Sequence, residues 1–241
     1  HPGLSCDLLE GRWFIWLNLV HYLVQLSIWI ALIVTTSNVR KNNINRKELI
    51  EIKKYNVLYV DPPWDFGNKF RSGKKREDGK TMQHSITEKY PTMSIEELKG
   101  LKEFINKITT KNSVLFMWTT DAHLKSALEI MEAWGYEYKT VAFIWNKKEK
   151  SGKQVCYMGM WTMKGSEICL LGIKGKPHKF LKSRKVRQLV EAERGRHSEK
   201  PQEVRNRIVE MFGENASYLE MFARDKVAPF DVWGNEVDSD V

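Results

Sequence analysis

From about residue 41 onward, short apolar runs alternate with stretches in which apolar residues recur every three or four positions, which predicts strands alternating with helices. Val57 to Asp61 reads as a buried strand. Ser94-Ile95-Glu96-Glu97 is a capping-box pattern opening a helix whose stripe is Ile95, Leu98, Leu101, Ile105 and Ile108. Val114 to Trp118 is the next strand, and Asp121 can cap a helix carrying Leu124, Leu128, Met131 and Trp134, ended by Gly135. Strands follow at Thr140 to Trp145 and Glu167 to Ile173, with Lys147 to Lys153 as a loop between them. Pro201 starts a helix with Val204, Ile208 and Met211 on its stripe and Gly213 as terminator. Tyr218 to Ala223 and Phe230 to Trp233 are extended. This alternation predicts an α/β domain over residues 41–241, with a mainly parallel sheet and helices on both faces. Ligands of such sheets bind beyond the carboxyl ends of the strands, which is where Asp61 falls. No GxGxxG is present, which counts against an ordinary dinucleotide enzyme.

Residues 1–40 break the pattern. Trp13 to Thr35 is nearly continuously apolar and about long enough to span a bilayer, but Asn18, His21, Gln25 and Ser27 interrupt it. Arg40, Lys41, Arg46 and Lys47 follow, so a spanning segment would leave the rest of the chain in the cytoplasm. No basic n-region or small-residue cleavage site marks a signal peptide. Three readings stand in this order: a foreign or incompletely defined extension, a buried apolar helix, and a membrane anchor.

Composition narrows the partner. At 241 residues there is room for one sizeable core. A net charge of +9 and a pI near 9.3 favour nucleic acid first and an anionic membrane surface second. Cys6, Cys156 and Cys169 are widely spaced, and His84, His123, His178 and His197 show no ligand spacing, so neither disulfides nor a metal site is expected. Cys169 reads as a small buried side chain. A reducing, intracellular setting fits, cytoplasmic in a bacterium and nuclear in a eukaryote.

The chemistry concentrates in Asp61-Pro62-Pro63-Trp64, directly after the run Val57-Leu58-Tyr59-Val60. The exocyclic amine of adenine is a weak nucleophile whose lone pair is delocalised into the ring, and it must become tetrahedral to attack a methyl donor. Acceptors for its two N–H hydrogens favour that change. Asp61 can supply one and the Pro62 carbonyl the other, since consecutive prolines fix the backbone and remove a competing N–H. Trp64 can stack on the base. A strand ending in a Pro-Pro turn with a packed Trp would fit the bare pair, but Asp before it and an aromatic after it favour catalysis. The segment from Gly67 to Tyr90 follows at once. It carries Lys69, Arg71, Lys74, Lys75, Arg76 and Lys80 with no apolar period, as expected of a loop that contacts substrate phosphates.

These residues resemble the amino-methyltransferase signature Asp/Asn/Ser-Pro-Pro-aromatic. From about Asn43 to Glu236 the chain is similar to one family, the MT-A70-like adenine-N6 methyltransferases, named after the 70-kDa subunit of the messenger-RNA methyltransferase. The similarity rests on Asp61-Pro62-Pro63-Trp64, Tyr90-Pro91-Thr92-Met93-Ser94, Leu115-Phe116-Met117-Trp118, Trp134-Gly135-Tyr136, Glu167-Ile168-Cys169-Leu170-Leu171-Gly172, His197-Ser198-Glu199-Lys200-Pro201 and Trp233-Gly234-Asn235-Glu236. The resemblance implies a Rossmann-like, circularly permuted methyltransferase fold whose cofactor strand, Tyr218 to Arg224, follows the catalytic strand in sequence. It implies S-adenosylmethionine as donor. Lys200 matches the lysine facing the donor carboxylate, and Asp61 meets its ammonium as well as the target amine. Glu220, Arg224 and Asn235 fall at ribose contacts, while Asn43 and Ile44 fall at contacts to the donor's adenine. Tyr90 joins the basic loop on the substrate side.

The family's messenger-RNA enzyme has Phe-Gly-Arg then Pro-His-Asn where this chain has Phe222-Ala223-Arg224 then Asp225-Lys226-Val227, and Gly-Asn-Gln where it has Gly234-Asn235-Glu236. The ribose end of the site therefore departs from the pattern more than the methyl-transfer end. Asp in first position of the signature implies adenine. The compact layout, without an upstream zinc finger, resembles the small bacterial and phage members, so DNA is favoured over RNA. A homodimer or a heterodimer with a related subunit is also in keeping with the family. The rival reading is an inactive nucleic-acid-binding partner subunit, whose hallmark is a damaged Asp-Pro-Pro-Trp, and here the motif is intact.

Overall fold

A computed structural model describes residues 52–65, 92–159, 161–195 and 199–241, and Ile52–Val241 forms one compact unit. The apolar segment 13–35, Asn43, Ile44, the basic segment 67–90 with Tyr90, and His197 lie outside the described residues. Among those described, no helix is long and apolar enough to cross a membrane.

Seven strands of the described residues form one sheet: β1 (Tyr55–Val60), β2 (Thr109–Thr119), β3 (Glu137–Lys148), β4 (Ser166–Lys174), β5 (Leu189–Glu193), β6 (Tyr218–Met221) and β7 (Phe230–Trp233). Their order is β5-β3-β4-β2-β1-β6-β7. Four neighbouring pairs are parallel, and only β4 runs against its neighbours β2 and β3. The mainly parallel sheet expected from the sequence is therefore present, and the late strand β6 lies beside β1, as circular permutation requires. The run from Val57 to Val60 is apolar throughout because both faces of β1 are covered. Leu58 and Val60 face one core with α1 (Ile95–Gly100), α2 (Lys102–Ile108) and α3 (Leu124–Ala133). Val57 and Tyr59 face the other with α4 (Gln202–Phe212).

The helices follow their caps. Ser94 Oγ accepts from Glu97 N–H at 3.2 Å while the Glu97 carboxylate accepts from Ser94 N–H at 2.8 Å, a reciprocal pair that satisfies two otherwise orphaned donors. The single stripe from Ile95 to Ile108 is realised as two helices. Leu101 closes α1 with an i to i−3 bond to Leu98 at 3.2 Å and opens α2, a break explained by Gly100, a poor helix former. The same stripe still reaches the core through Leu98, Ile105 and Ile108.

Three local expectations need correction. Asp121 starts a 3-10 turn over Asp121–His123, and α3 begins at Leu124 with no side-chain cap; the Asp121 carboxylate is instead drawn to Lys164. Lys147 and Lys148, read as loop, continue β3. The strand expected to reach Ala223 stops at Met221, because Phe222 has φ +60°. The pattern also gave no sign of β5, where only Val190 and Ala192 turn inward.

Candidate active site

β1 delivers Asp61 just past its carboxyl end, and the next residues are pinned from both sides. Met93 N–H donates to the Pro63 carbonyl at 2.9 Å, tying the motif to the segment before α1, and Trp64 N–H donates to the Pro62 carbonyl at 2.8 Å. The second bond qualifies the sequence argument for Pro62. Removal of the Pro63 N–H does not leave that carbonyl uncontested, since Trp64 occupies one lone pair and one remains for a ligand.

Asp61, Pro62, Pro63, Trp64, Lys200, Arg224 and Asn235 all line one cavity of about 1220 Å³. Two chain segments far apart in sequence are thus brought to the β1 motif: the approach to α4, carrying Lys200, and the ends of β6 and β7, carrying Arg224 and Asn235. Glu220 is not brought there. It is buried on β6, where Arg205 grips its carboxylate through Nε at 2.7 Å and Nη2 at 2.5 Å. Arg224 itself lies 3.6 Å from the Glu236 carboxylate.

The centre of the cavity is an alternating chain of charge. Lys200, 8% exposed, places Nζ 2.6 Å from Asp61 Oδ2 and 3.4 Å from Glu167 Oε2. Glu167 in turn accepts from Lys147 Nζ at 2.5 Å. Burial alone would lower the Lys200 pKa, but the facing carboxylates of Asp61 and Glu167 raise it, so the ammonium stays charged. Burial pushes Glu167 up, and the Lys200 and Lys147 ammonium groups more than offset it, holding the carboxyl below its ordinary value. Burial raises Asp61, and Lys200 offsets this only in part. The arrangement sets a carboxyl group and an ammonium side by side at the cavity wall, suited to a ligand that carries both signs of charge.

Glu167 and Lys147 were not singled out by the sequence. Their position follows from β4 running antiparallel, which brings its first residues to the carboxyl end of β1. The signal was available: no helical period separates Trp145 from Glu167, and strands joined without a crossover pair antiparallel.

His123 is a second unforeseen neighbour. Its ring stacks on Trp64 with centroids 5.2 Å apart and 19° between planes. Nε2 donates to the Asp65 carbonyl at 3.2 Å, and Nδ1 lies 3.0 Å from Thr120 Oγ1. Trp64 is 7% exposed, and its Nε1 is buried with no hydrogen-bond partner among the described residues. One indole face is therefore already covered. Among the described residues no cluster of three or more His, Cys, Asp or Glu side chains could hold a metal ion.

The chain is 38% identical over 192 residues to the type II methyltransferase M.MunI of Mycoplasma sp, covering 77% of this chain and 78% of that protein. It is 26% identical over 189 residues to the human N(6)-adenosine-methyltransferase catalytic subunit METTL3, covering 77% of this chain and 28% of that protein. A similar stretch, 73% of this chain and 26% of the relative, is 25% identical to the N(6)-adenosine-methyltransferase MT-A70-like protein of Drosophila melanogaster. The MT-A70 family profile matches residues 55–236, from the first residue of β1 to the residue after Asn235. The chain belongs to the MT-A70 family of methyltransferases.

Proposed function

We propose that this chain transfers a methyl group from S-adenosylmethionine to the N6 amine of adenine in nucleic acid, with DNA as the favoured substrate. The observation that carries this reading is the Asp61–Lys200 pair, at 2.6 Å, in the cavity bordered by Pro62, Pro63 and Trp64. The chemistry of the donor set fits the cofactor: its carboxylate has Lys200 to meet, its ammonium has Asp61, and Arg224 and Asn235 lie at the end available to its ribose. A volume of about 1220 Å³ exceeds the roughly 300–1,000 Å³ of a single small-molecule site, which supports room for a base beside the donor.

S-adenosylmethionine, when bound, supplies the electrophilic methyl group. Asp61 and the remaining lone pair of the Pro62 carbonyl accept the two N–H hydrogens of the amine, which aids its change to tetrahedral geometry. Asp61 is competent for this only while ionised, and Lys200 favours that form against the opposing effect of burial. Trp64, braced by His123, bounds the base on one side. If the target lies in a duplex it must be flipped out to reach Asp61. Asn43 and Ile44 are assigned by the family resemblance to the donor's adenine, and Lys69, Arg71, Lys74, Lys75, Arg76 and Tyr90 are assigned to the substrate strand; all lie outside the described residues.

DNA is favoured because the greater identity is to a protein named a type II methyltransferase. Incubation with methyl-labelled S-adenosylmethionine and matched DNA and RNA oligonucleotides tests the choice. Label is expected in DNA, and label confined to RNA would reverse it.

A further inference from the structure

The hairpin joining β3 to β4 ends in an apolar tip open to solvent. Trp161 is 95% exposed, Met158 87%, Met163 59% and Tyr157 47%. The tip is not a loose excursion: Tyr157 N–H donates to the Lys164 carbonyl at 2.9 Å, and Lys164 N–H returns a bond to Tyr157 at 2.8 Å. Tyr157, Met158 and Trp161 line the same cavity as Asp61 and Trp64, and Glu167 at the base of the hairpin contacts Lys200. Exposing a whole indole forfeits the burial that would otherwise stabilise it.

We propose that Trp161, flanked by Met158, is a stacking platform for the unpaired base next to the target adenine. The proposal rests on the reading of the cavity as an adenine methylation site. Every base has a π-face, and aromatic side chains at a cationic groove bind single-stranded nucleic acid in this way. Methionine adds a polarizable contact suited to a ring. The charge of the hairpin suits a phosphate backbone: Lys150 and Lys153 lie along it, Lys164 being held by Asp121, and no Asp or Glu occurs from Lys150 to Ser166. The platform is continuous with the cavity, so a strand that delivers one base to Asp61 carries its neighbour over the hairpin tip. Stacking there also holds the strand open and keeps the target base from returning to its stack.

The test measures binding of the full chain to a short oligothymidylate with one central adenine, and to the same strand with abasic sites on both sides of the adenine. Trp161→Ala is expected to weaken binding to the intact strand by roughly 5- to 100-fold, the range for one base stacked on an aromatic side chain. It should change binding to the abasic strand little, and Trp161→Phe should restore most of the loss. Calorimetric S-adenosylmethionine binding should stay as in the unsubstituted chain. Equal losses on both strands, or no loss on either, overturn the platform. A dimer of the unsubstituted chain that Trp161→Ala converts to monomer in sedimentation also overturns it, by assigning the tip to a second copy. If the unsubstituted chain binds neither strand yet methylates duplex DNA, the platform is wrong and the proposed function stands. If it transfers methyl to no nucleic acid, both fall.

Discussion

Replacing Lys200 with Met removes the ammonium that bridges Asp61 and Glu167 and leaves both carboxylates partly buried without it. The Lys200 side chain is 7% exposed, Glu167 17% and Asp61 25%. Removing one partner of a buried ion pair costs about 3–5 kcal/mol, chiefly from the charge left behind. Two facts place this case near the lower end, about 3 kcal/mol: Asp61 keeps some contact with water, and Lys147 still neutralises Glu167 at 2.5 Å. Met preserves the aliphatic stem but forfeits the ammonium over the Trp118 ring, 5.7 Å from its centroid.

The pH dependence has a definite sign. In the unsubstituted chain Glu167 is held below its ordinary value, so its pairing contributes stability above the unfolded carboxyl pKa, and this is lost as pH falls through the folded value. In the variant both carboxyls have one cation fewer and titrate higher, so the deficit shrinks as acid protonates them. Urea unfolding of both proteins at about pH 7.5 and about pH 4.5 measures this. The expected result is a deficit of about 3 kcal/mol at the higher pH, smaller at the lower, and partly recovered by adding Glu167→Gln. S-adenosylmethionine affinity is expected to fall as well, since the proposed site assigns Lys200 to its carboxylate. Equal stability at neutral pH, or a deficit that grows on acidification, would refute the reasoning.

Other substitutions probe separate parts of the account. Gly234→Ala places a Cβ 2.3 Å from the Ala223 carbonyl oxygen and 2.8 Å from its nitrogen, so backbone must move. Stability should drop by about 1–3 kcal/mol and calorimetric donor affinity should fall with the displaced Arg224 and Asn235; an unchanged melting temperature would contradict this. Trp134→Ala removes a fully buried indole and its 2.8 Å bond to the Leu98 carbonyl, and should cost about 3–5 kcal/mol in urea unfolding, with less than about 1 kcal/mol counting against the described packing. Neutralising Lys74, Lys75 and Arg76 together should flatten the salt dependence of nucleic-acid binding by up to about three phosphate contacts. An unchanged slope would move the basic footprint to the run from Lys179 to Arg187.

The sequence was most legible where chemistry and pattern coincide. Asp61 sits at the end of β1 because an apolar run must be buried on both faces and Pro-Pro cannot continue it. Lys200 reached the same cavity only by resemblance, since no local pattern distinguishes it from an exposed lysine before a helix. Glu167 and His123 were illegible for a different reason: both matter through neighbours distant in sequence, Lys200 for one and Trp64 for the other. Glu220 shows the converse. Its place on a late strand was foreseen, but the Arg205 grip on its carboxylate depends on a side chain one turn into α4. Boundaries failed where backbone conformation overrides composition, as at Phe222.

The central claim is methyl transfer to adenine N6 with Asp61 as acceptor for the amine. It is tested most directly by nucleoside analysis of DNA incubated with methyl-labelled S-adenosylmethionine and either the unsubstituted chain or Asp61→Ala. The account predicts label in N6-methyladenine with the unsubstituted chain, and a rate lower by on the order of 100-fold or more in the variant, which still folds and binds nucleic acid. Label in another base, or a variant within a few-fold of the unsubstituted rate, would contradict it.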